Sequence, residues 1–288
     1  MALLVLAALA ALAIAAWPSG PRASPEAHAS GAAGAGTPAP PLAPPHVAQA
    51  HPGVSAAAAL ITRENRAINA VLRYTPFVAH GTGRRRDVAL TFDDGPGPYT
   101  PSVLHVLERL HVPATFFVVG QQVPTFGGGV RSERSEGFAI EDHTENHAWL
   151  IRLGAAGQHA QIQDAAARLA RLGVAYPRML RPPYGAFNAT TVKTLARMRM
   201  LMILWSVDPG DWRRPGVRAI VSNVLSNARS GSIVLMHDGG GDRSQTVQAL
   251  PAIITGLRRR GYRLVTVPQL VIDDPPPRHQ SLAHLGSG

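Results

Sequence analysis

The stretch Thr91-Phe92-Asp93-Asp94-Gly95-Pro96 decides the fold of this chain, because a buried strand ends there and a polar site begins. Residues 88–92 are apolar and partly β-branched, a pattern typical of a short buried strand. The Gly-Pro-Gly-Pro run at 95–98 then forces a turn. Two adjacent carboxylates at a strand end are costly unless a positive group neutralises them. We expect one aspartate to bind a metal and the other to move protons; an ordinary Asp-Gly turn is the alternative.

Composition limits the classes of protein to which the chain can belong. Its 288 residues, 45% of them hydrophobic, allow one domain of ordinary size with flanking segments. The net charge of +10 favours anionic partners such as acidic wall polymers or lipid headgroups. The basic residues are scattered and form no nucleic-acid-reading motif, so we expect no nucleic-acid partner. Because the chain has no cysteine, any metal must bind to His, Asp or Glu.

The ends of the chain are predicted to lie outside the folded domain. Residues 1–17 are uncharged and short for a membrane span, so we predict a signal peptide or membrane anchor, with membrane contact if it is not cleaved. Residues 18–54 form an Ala/Pro/Gly linker predicted to be disordered. Residues 55–85 are predicted to be a helical extension and 273–288 a disordered tail. This organisation indicates an extracytoplasmic protein, secreted or associated with the cell wall or membrane.

Between residues 86 and 272, strand-like and helical patterns alternate. The strand-like segments are 88–92, 114–119, 138–140, 179–181, 201–207, 232–237 and 263–267. The helical patterns are 100–110, 158–172, 188–198, 217–228 and 246–260, whereas a glycine run within 125–136 predicts an irregular segment. Seven strands alternating with helices predict a parallel sheet, closed as a barrel or open. In both architectures ligands bind at the carboxyl ends of the strands.

Unusual polar residues follow the predicted strands. His143 and His147 are four residues apart, a spacing that places two imidazoles on one helix face within reach of one ion, although such a pair is more often a surface pair. Arg181 begins a segment whose two prolines restrict the backbone, so that the segment can form the wall of a groove. Asp211 follows the fifth strand, and His237 ends the sixth. Their repeated position at one end of the sheet indicates a shared site.

Together these motifs closely resemble the polysaccharide deacetylase family, the NodB-homology domain of carbohydrate esterase family 4. The resemblance covers roughly residues 86–270 and implies a distorted parallel (β/α) barrel with about seven strands. It further implies that Asp93 is the general base and that Asp94, His143 and His147 bind a divalent metal. Zinc is the expected ion, with cobalt or another divalent ion as alternatives.

The resemblance also implies roles for the groove. Arg181 would hold the base, Pro183 would line the wall, and the Tyr184 N–H would contribute to an oxyanion hole. Trp212 would line the opposite wall and pack against a sugar ring. Trp205 has either that role or a place in the core.

The remaining implied roles concern proton donation. His237 would be the general acid, Asp211 would raise its pKa, and Leu235 would line the acetyl pocket. The chain departs from the family at 138–142, where Phe-Ala-Ile-Glu-Asp replaces the frequent His-Glu-Ile-Gly-Asn and adds negative charge beside the predicted ligands.

These features predict a hydrolase that removes N-acetyl groups from N-acetylated polysaccharide, GlcNAc or MurNAc of peptidoglycan above all, and releases acetate. Chitin, poly-GlcNAc or O-acetylated xylan are alternative substrates within the same class. From other classes, the alternatives are an inactive carbohydrate-binding module and a metal amidase with a closed pocket for small molecules.

Overall fold

The computed structural model describes residues 54–281 of the chain. The predicted signal at 1–17 and the linker up to residue 53 lie outside the described residues, as do residues 282–288 of the predicted tail. Within 54–281, no helix combines the length and the apolar character needed to cross a membrane.

Eight strands form the sheet, and every strand pair is parallel. They are β1 (Phe77–Val78), β2 (Asp87–Asp93), β3 (Thr115–Val118), β4 (Ala139–Asp142), β5 (Met179–Leu180), β6 (Leu201–Ile203), β7 (Ser232–His237) and β8 (Arg263–Val265). Their order is β1-β6-β5-β4-β3-β2-β7, with β8 paired to β2. Isolated bridges His80–Ser232 and Val207–Val234 bring the two edges together. The predicted distorted parallel (β/α) barrel is confirmed, with its seven strands present.

Helices surround the sheet. They are α1 (Val54–Leu72), α2 (Thr100–Arg109), α3 (Val123–Ser135), α4 (Ala155–Arg171), α5 (Ala189–Met198), α6 (Val217–Asn227), α7 (Ser244–Arg259) and α8 (Val267–Asp273). The expectation of an irregular segment at 125–136 is wrong except for a kink at Phe126. Val123 and Val130 are buried on one side of α3, and a side chain at Gly129 would crowd Thr100 on α2. Close helix packing therefore explains this glycine.

Alternation along the strands separates the barrel interior from the helix layer. Val88, Leu90 and Phe92 of β2 face the helices, whereas Thr91 and Asp93 face the interior. On β7 the register pairs Thr91 with Leu235 and Asp93 with His237. The strand period of two therefore places the polar residues of both strands in one interior column at the carboxyl end.

Helices α1 and α8 pack at the amino ends of the strands, where Ile68, Leu270 and Val271 join the interior core. The Val267 N–H donates to the Thr115 hydroxyl at the start of β3, and Arg178 donates to Asn65 of α1 just before β5. These contacts leave the carboxyl ends of the strands open for a site.

Two sequence predictions at the domain edges are wrong. The segment 55–85 is more than a helical extension, because it contributes β1 to the sheet. A two-residue strand is too short to show the period-two pattern. Of the predicted disordered tail, residues 274–281 are ordered. Asp274 is buried and accepts from the Gly83 N–H at 2.8 Å. The Gln280 side chain accepts from the Ala79 N–H and donates to the Phe77 carbonyl, both at 2.8 Å, which pairs backbone groups in and next to β1.

Candidate active site

The two aspartates of the opening stretch reach one cleft because the backbone reverses between them. β2 ends at Asp93, and Asp94 has a φ of 70°, in the left-handed region. Without this turn, successive side chains would point to opposite faces of the sheet. Gly239 and Gly240 pack against Asp94, where a Cβ at either position would overlap Asp94 atoms. The glycines after β7 therefore permit the turn that brings Asp94 into the site.

Asp93 is held by a fully buried arginine. Its Oδ1 accepts a hydrogen bond from Arg181 Nη1 at 2.7 Å, and the same nitrogen lies 2.7 Å from Thr91 Oγ1. The guanidinium lies 4.2 Å from the Phe117 ring centroid, and Nη2 donates to the Leu204 carbonyl. A buried charge of this kind is stable only when paired and hydrogen-bonded, so this arrangement fixes the orientation of Asp93.

Asp94, His143 and His147 form a cluster suited to a metal ion. One potential ligand atom from each residue lies within 4.8 Å of the other two. Asp94 Oδ1 is 3.4 Å from His143 Nε2 and 3.2 Å from His147 Nε2. Within the described residues, no other group of three or more His, Asp or Glu side chains has this geometry.

The histidines meet by a different route from the one predicted. The helix-face argument for His143 and His147 is wrong, since residues 143–149 are not helical. Instead Thr144 and His147 have φ values of 69° and 57°, and these left-handed residues curl the loop so that both rings face Asp94. With Asp94 and Tyr184 (φ 61°), four non-glycine residues at this site hold a costly backbone conformation. Such strain is typical of functional sites.

The donor chemistry of this cluster fits a divalent cation. Asp94 Oδ1 is buried and has no hydrogen-bond partner among the described residues, a costly state that a bound cation would relieve. His143 Nδ1 donates to the Arg181 carbonyl at 2.7 Å, so Nε2 is the ring nitrogen that faces the cluster as a potential ligand. Burial and repulsion from His143 lower the pKa of His147 to about 4, so its ring is neutral as a ligand requires.

His237 and Asp211 form the second charged pair. Asp211 Oδ1 lies 2.8 Å from His237 Nδ1, and its Oδ2 accepts from the His237 N–H and the Thr246 hydroxyl. Burial would lower the pKa of His237, but attraction to Asp211 outweighs burial and raises this pKa to about 9. The His237 side chain remains 12% exposed, so its Nε2 can reach a substrate.

Aromatic side chains flank the cluster on both sides. Tyr184 is 52% exposed, and its hydroxyl lies 3.1 Å from His147 Nδ1. Pro183 beside it is buried and fixes the wall. Across the site, Trp212 follows Asp211 and is 45% exposed. The site is therefore flanked by two exposed aromatic side chains, which we call the walls of the groove.

The extra acidic residues of the 138–142 segment do not join the predicted ligands. Glu141 accepts from the Arg178 and Met179 N–H groups, and burial raises its pKa to about 8. Asp142 accepts from the Thr144 N–H at 2.7 Å, and burial raises its pKa as well. Asp142 therefore supports the turn that places His143, and both acids take up protons more readily than ordinary carboxylates.

Two of the predicted site residues lie in the core, and two residues that contact the site were not predicted from the sequence. Leu235 is 5% exposed and lies in the barrel interior, and Trp205 belongs to the same core. Sequence reasoning missed Trp149, which stacks on Tyr184, and Thr246, which supports Asp211. An aromatic residue two positions after His147 was an available signal for Trp149. Nothing local to Thr246 distinguishes it from other helix residues.

Known proteins share this arrangement of fold and sequence. Residues 80–203 match the family model described as polysaccharide deacetylase. A chitooligosaccharide deacetylase from Bradyrhizobium sp. is 43% identical over 198 residues, covering 64% of this chain and 90% of that protein. The chain belongs to the polysaccharide deacetylase family.

Two further members of the family extend this similarity. A peptidoglycan-N-acetylglucosamine deacetylase from Bacillus cereus is 43% identical over 187 residues, covering 64% of this chain and 87% of that protein. The crystal structure of the Bc1960 peptidoglycan N-acetylglucosamine deacetylase superposes with a TM-score of 0.67 at 33% identity, covering 73% of this chain and 97% of that one. These findings confirm the predicted family, its fold, and the enzyme class of polysaccharide N-deacetylase.

Proposed function

We propose that this chain is a metal-dependent N-deacetylase that acts on the glycan strands of peptidoglycan and releases acetate. The observation that carries this proposal is the joint placement of a metal-ligand cluster, a base held by arginine and an acid held by aspartate at one end of the barrel. Relatives named as peptidoglycan-N-acetylglucosamine deacetylases support the substrate. The net charge of +10 suits an anionic wall polymer.

Asp94, His143 and His147 would hold the metal. A divalent ion bound there supplies a Lewis acid for the amide carbonyl and for the attacking water. Zinc is the ion we propose, because one carboxylate and two imidazoles are ligands that zinc accepts readily. The chain contributes the preorganised ligand set, since hydrogen bonds from His143 and His147 to neighbouring groups orient both rings.

Asp93 acts as the general base. An N-acetyl amide is unreactive, so the attacking water must lose a proton as it adds to the carbonyl carbon. Arg181 directs the carboxylate of Asp93 into the cleft through its hydrogen bond to Oδ1. The Tyr184 N–H is proposed to donate to the developing oxyanion.

His237 acts as the general acid. Breaking the C–N bond requires a proton on the departing amine, which the protonated His237 ring donates from Nε2. Nδ1 faces Asp211, so the ring is oriented with Nε2 toward the substrate side. Leu235, on the same face of β7, is proposed to contact the acetyl methyl group.

The exposure of both aromatic walls favours a polymer over a small molecule. Both walls are exposed at Tyr184 and Trp212, whereas an amidase acting on small molecules needs an enclosed pocket. A chitooligosaccharide remains the second candidate substrate, favoured by relatives with that name. For the location, we propose an extracytoplasmic enzyme, in agreement with the signal-like residues 1–17 and the wall substrate.

Acetate release tests the proposal. The purified chain is stripped of metal with a chelator and assayed on peptide-free glycan strands, chitooligosaccharides and acetylated xylan, before and after addition of zinc or cobalt. We expect release that depends on the added metal and is fastest on glycan strands. Faster release from chitooligosaccharides would reassign the substrate. No release from any of the three, with strands still bound, would favour the carbohydrate-binding module.

A further inference from the structure

One wall of the groove combines an aromatic surface with an arginine that has no acidic partner. Trp149 is 39% exposed and stacks on Tyr184, with ring centroids 4.1 Å apart and an interplanar angle of 14°. The Arg152 guanidinium lies 5.3 Å from the centroid of the Trp149 ring. Because the Tyr184 ring also contacts His147 at 4.6 Å between centroids, this wall adjoins the proposed metal ligands directly.

The charge on this wall is uncompensated. In the part of the chain that the structure describes, Arg152 is exposed and lies within ion-pair distance of no carboxylate. The nearest acid along the chain, Glu145, is engaged by Arg168 at 2.6 Å. A guanidinium that lies against an indole is held in position and presents a planar donor array suited to a carboxylate.

The opposite wall, at Trp212, carries charges of both signs. There Arg213 lies 4.4 Å from the Trp212 ring centroid, but Arg214 pairs with Asp242 at 3.5 Å, and the exposed Asp208 lies on the same loop. Positive and negative groups are thus interspersed beside Trp212. Arg213, like Arg152, has no ion-pair partner among the described residues, but the exposed Asp208 of the same loop offsets its charge, whereas the loop that carries Trp149 and Arg152 has no exposed acid.

We infer that Trp149 and Arg152 form a subsite for a sugar that carries a carboxylate, next to the N-acetylated sugar that is deacetylated. The exposed surface of the Trp149–Tyr184 stack packs against the C–H groups of the sugar ring, and Arg152 pairs with the carboxylate. A lactyl-ether carboxylate on an amino sugar has this chemistry, whereas a chitooligosaccharide has none. This inference rests on the proposed function and makes it more specific: it selects an anionic polymer over a neutral one.

A matched pair of substrates tests whether Arg152 pairs with the carboxylate of the sugar. Peptide-free glycan strands with free lactyl carboxylates are compared with the same strands after reduction of those carboxylates to alcohols. We expect Arg152→Gln to lower kcat/KM on the intact strands about five-fold at low salt, mainly through KM, and less than about two-fold on the reduced strands. Arg152→Lys should recover part of the loss, and added salt should shrink it.

Two further variants complete the design. Arg278→Gln is the matched control, because Arg278 also lies over an aromatic ring, that of Tyr74 at 5.2 Å, but away from the groove; we expect less than about two-fold change on either substrate. Trp149→Ala should raise KM on both kinds of strand, since the ring surface does not depend on charge. Equal losses for Arg152→Gln on both strands, no loss on either, or the same loss in Arg278→Gln would overturn the inference.

A measurement of glycan-strand affinity tests this inference independently of the proposed function. If the parent chain releases no acetate from any strand, the proposed function fails. The affinity of Asp93→Asn protein for intact and reduced strands, measured by calorimetry, then decides the inference by itself. A preference for intact strands that Arg152→Gln removes would support the subsite, and equal affinity for both would overturn it.

Discussion

The two ends of the barrel are built by opposite means. At the amino end, Ile68 of α1 and Leu270 of α8 pack into an apolar core with ordinary backbone conformations. At the carboxyl end, buried charges face one another, and Asp94 and His147 hold left-handed backbone angles. The comparison teaches that stability and chemistry are separated in this fold: one end stabilises the barrel, and this stability tolerates strain and charge at the other.

The largest expected loss of activity follows from removing the base at the strained end. Asp93→Asn keeps a side chain that can accept from Arg181 but cannot take up the water proton. We expect acetate release to fall by about 100- to 10,000-fold, the usual contribution of a positioned general base. Steady-state rates measured over pH 6–10 check this, and a variant within a few-fold of the parent would contradict the role of Asp93.

Loss of a proposed ligand should lower both metal binding and turnover. His147→Ala removes one of three ligand atoms, and we expect metal affinity to fall more than about 100-fold, because even residues that only support a ligand are worth 10- to 100-fold. Calorimetric titration with zinc, alongside acetate release, measures both. His159→Ala on the exposed face of α4 is the matched control and should change neither. Parent-like metal affinity in His147→Ala would remove this residue from the ligand set.

A smaller effect, visible in the pH profile, should follow from Asp211→Asn. His237 acts in its protonated form, and its pKa is raised to about 9, so activity is retained below that pH and lost as the pH rises through it. Without the Asp211 charge, burial is opposed only by the weaker attraction to Asp94 and Asp93, so we expect this pKa to fall and the alkaline limb to move down by about 1–3 pH units. A bound cation would shift the pKa of His237 in the same direction in the parent and in Asp211→Asn, so the difference between the two pH profiles is the readout. Coincident alkaline limbs would contradict the coupling.

The smallest change in activity is expected at the amino end, where the stability should change instead. Ile68→Ala leaves a cavity beneath the sheet and should lower the free energy of unfolding by about 2–5 kcal/mol, with kcat unchanged in the folded protein. Ile61→Ala, on the same helix but 43% exposed, should cost less than about 0.5 kcal/mol. Urea unfolding measures both. A comparable fall in kcat for Ile68→Ala would show that the two ends are not separate.

Sequence reasoning predicted the strands because buried β-branched runs are local signals, and it located the site because polar residues recur at the strand ends. It found the residues of the metal cluster but assigned His143 and His147 to a helix face, since residue spacing does not report the left-handed angles at Thr144 and His147. It missed β1, which is too short for a periodic pattern. It missed the ordering of Asp274 and Gln280 because the partners that hold them are 191 and 201 residues away in the sequence.

The division of labour between Asp93 and Asp94 is the central claim, and zinc stoichiometry tests it most directly. Asp93→Asn and Asp94→Asn proteins are dialysed side by side against zinc, and bound zinc per chain is measured by atomic absorption. We predict that Asp93→Asn retains nearly the parent amount of zinc while inactive, and that Asp94→Asn loses most of it. Equal zinc loss in both variants, or loss in Asp93→Asn alone, would contradict the assignment.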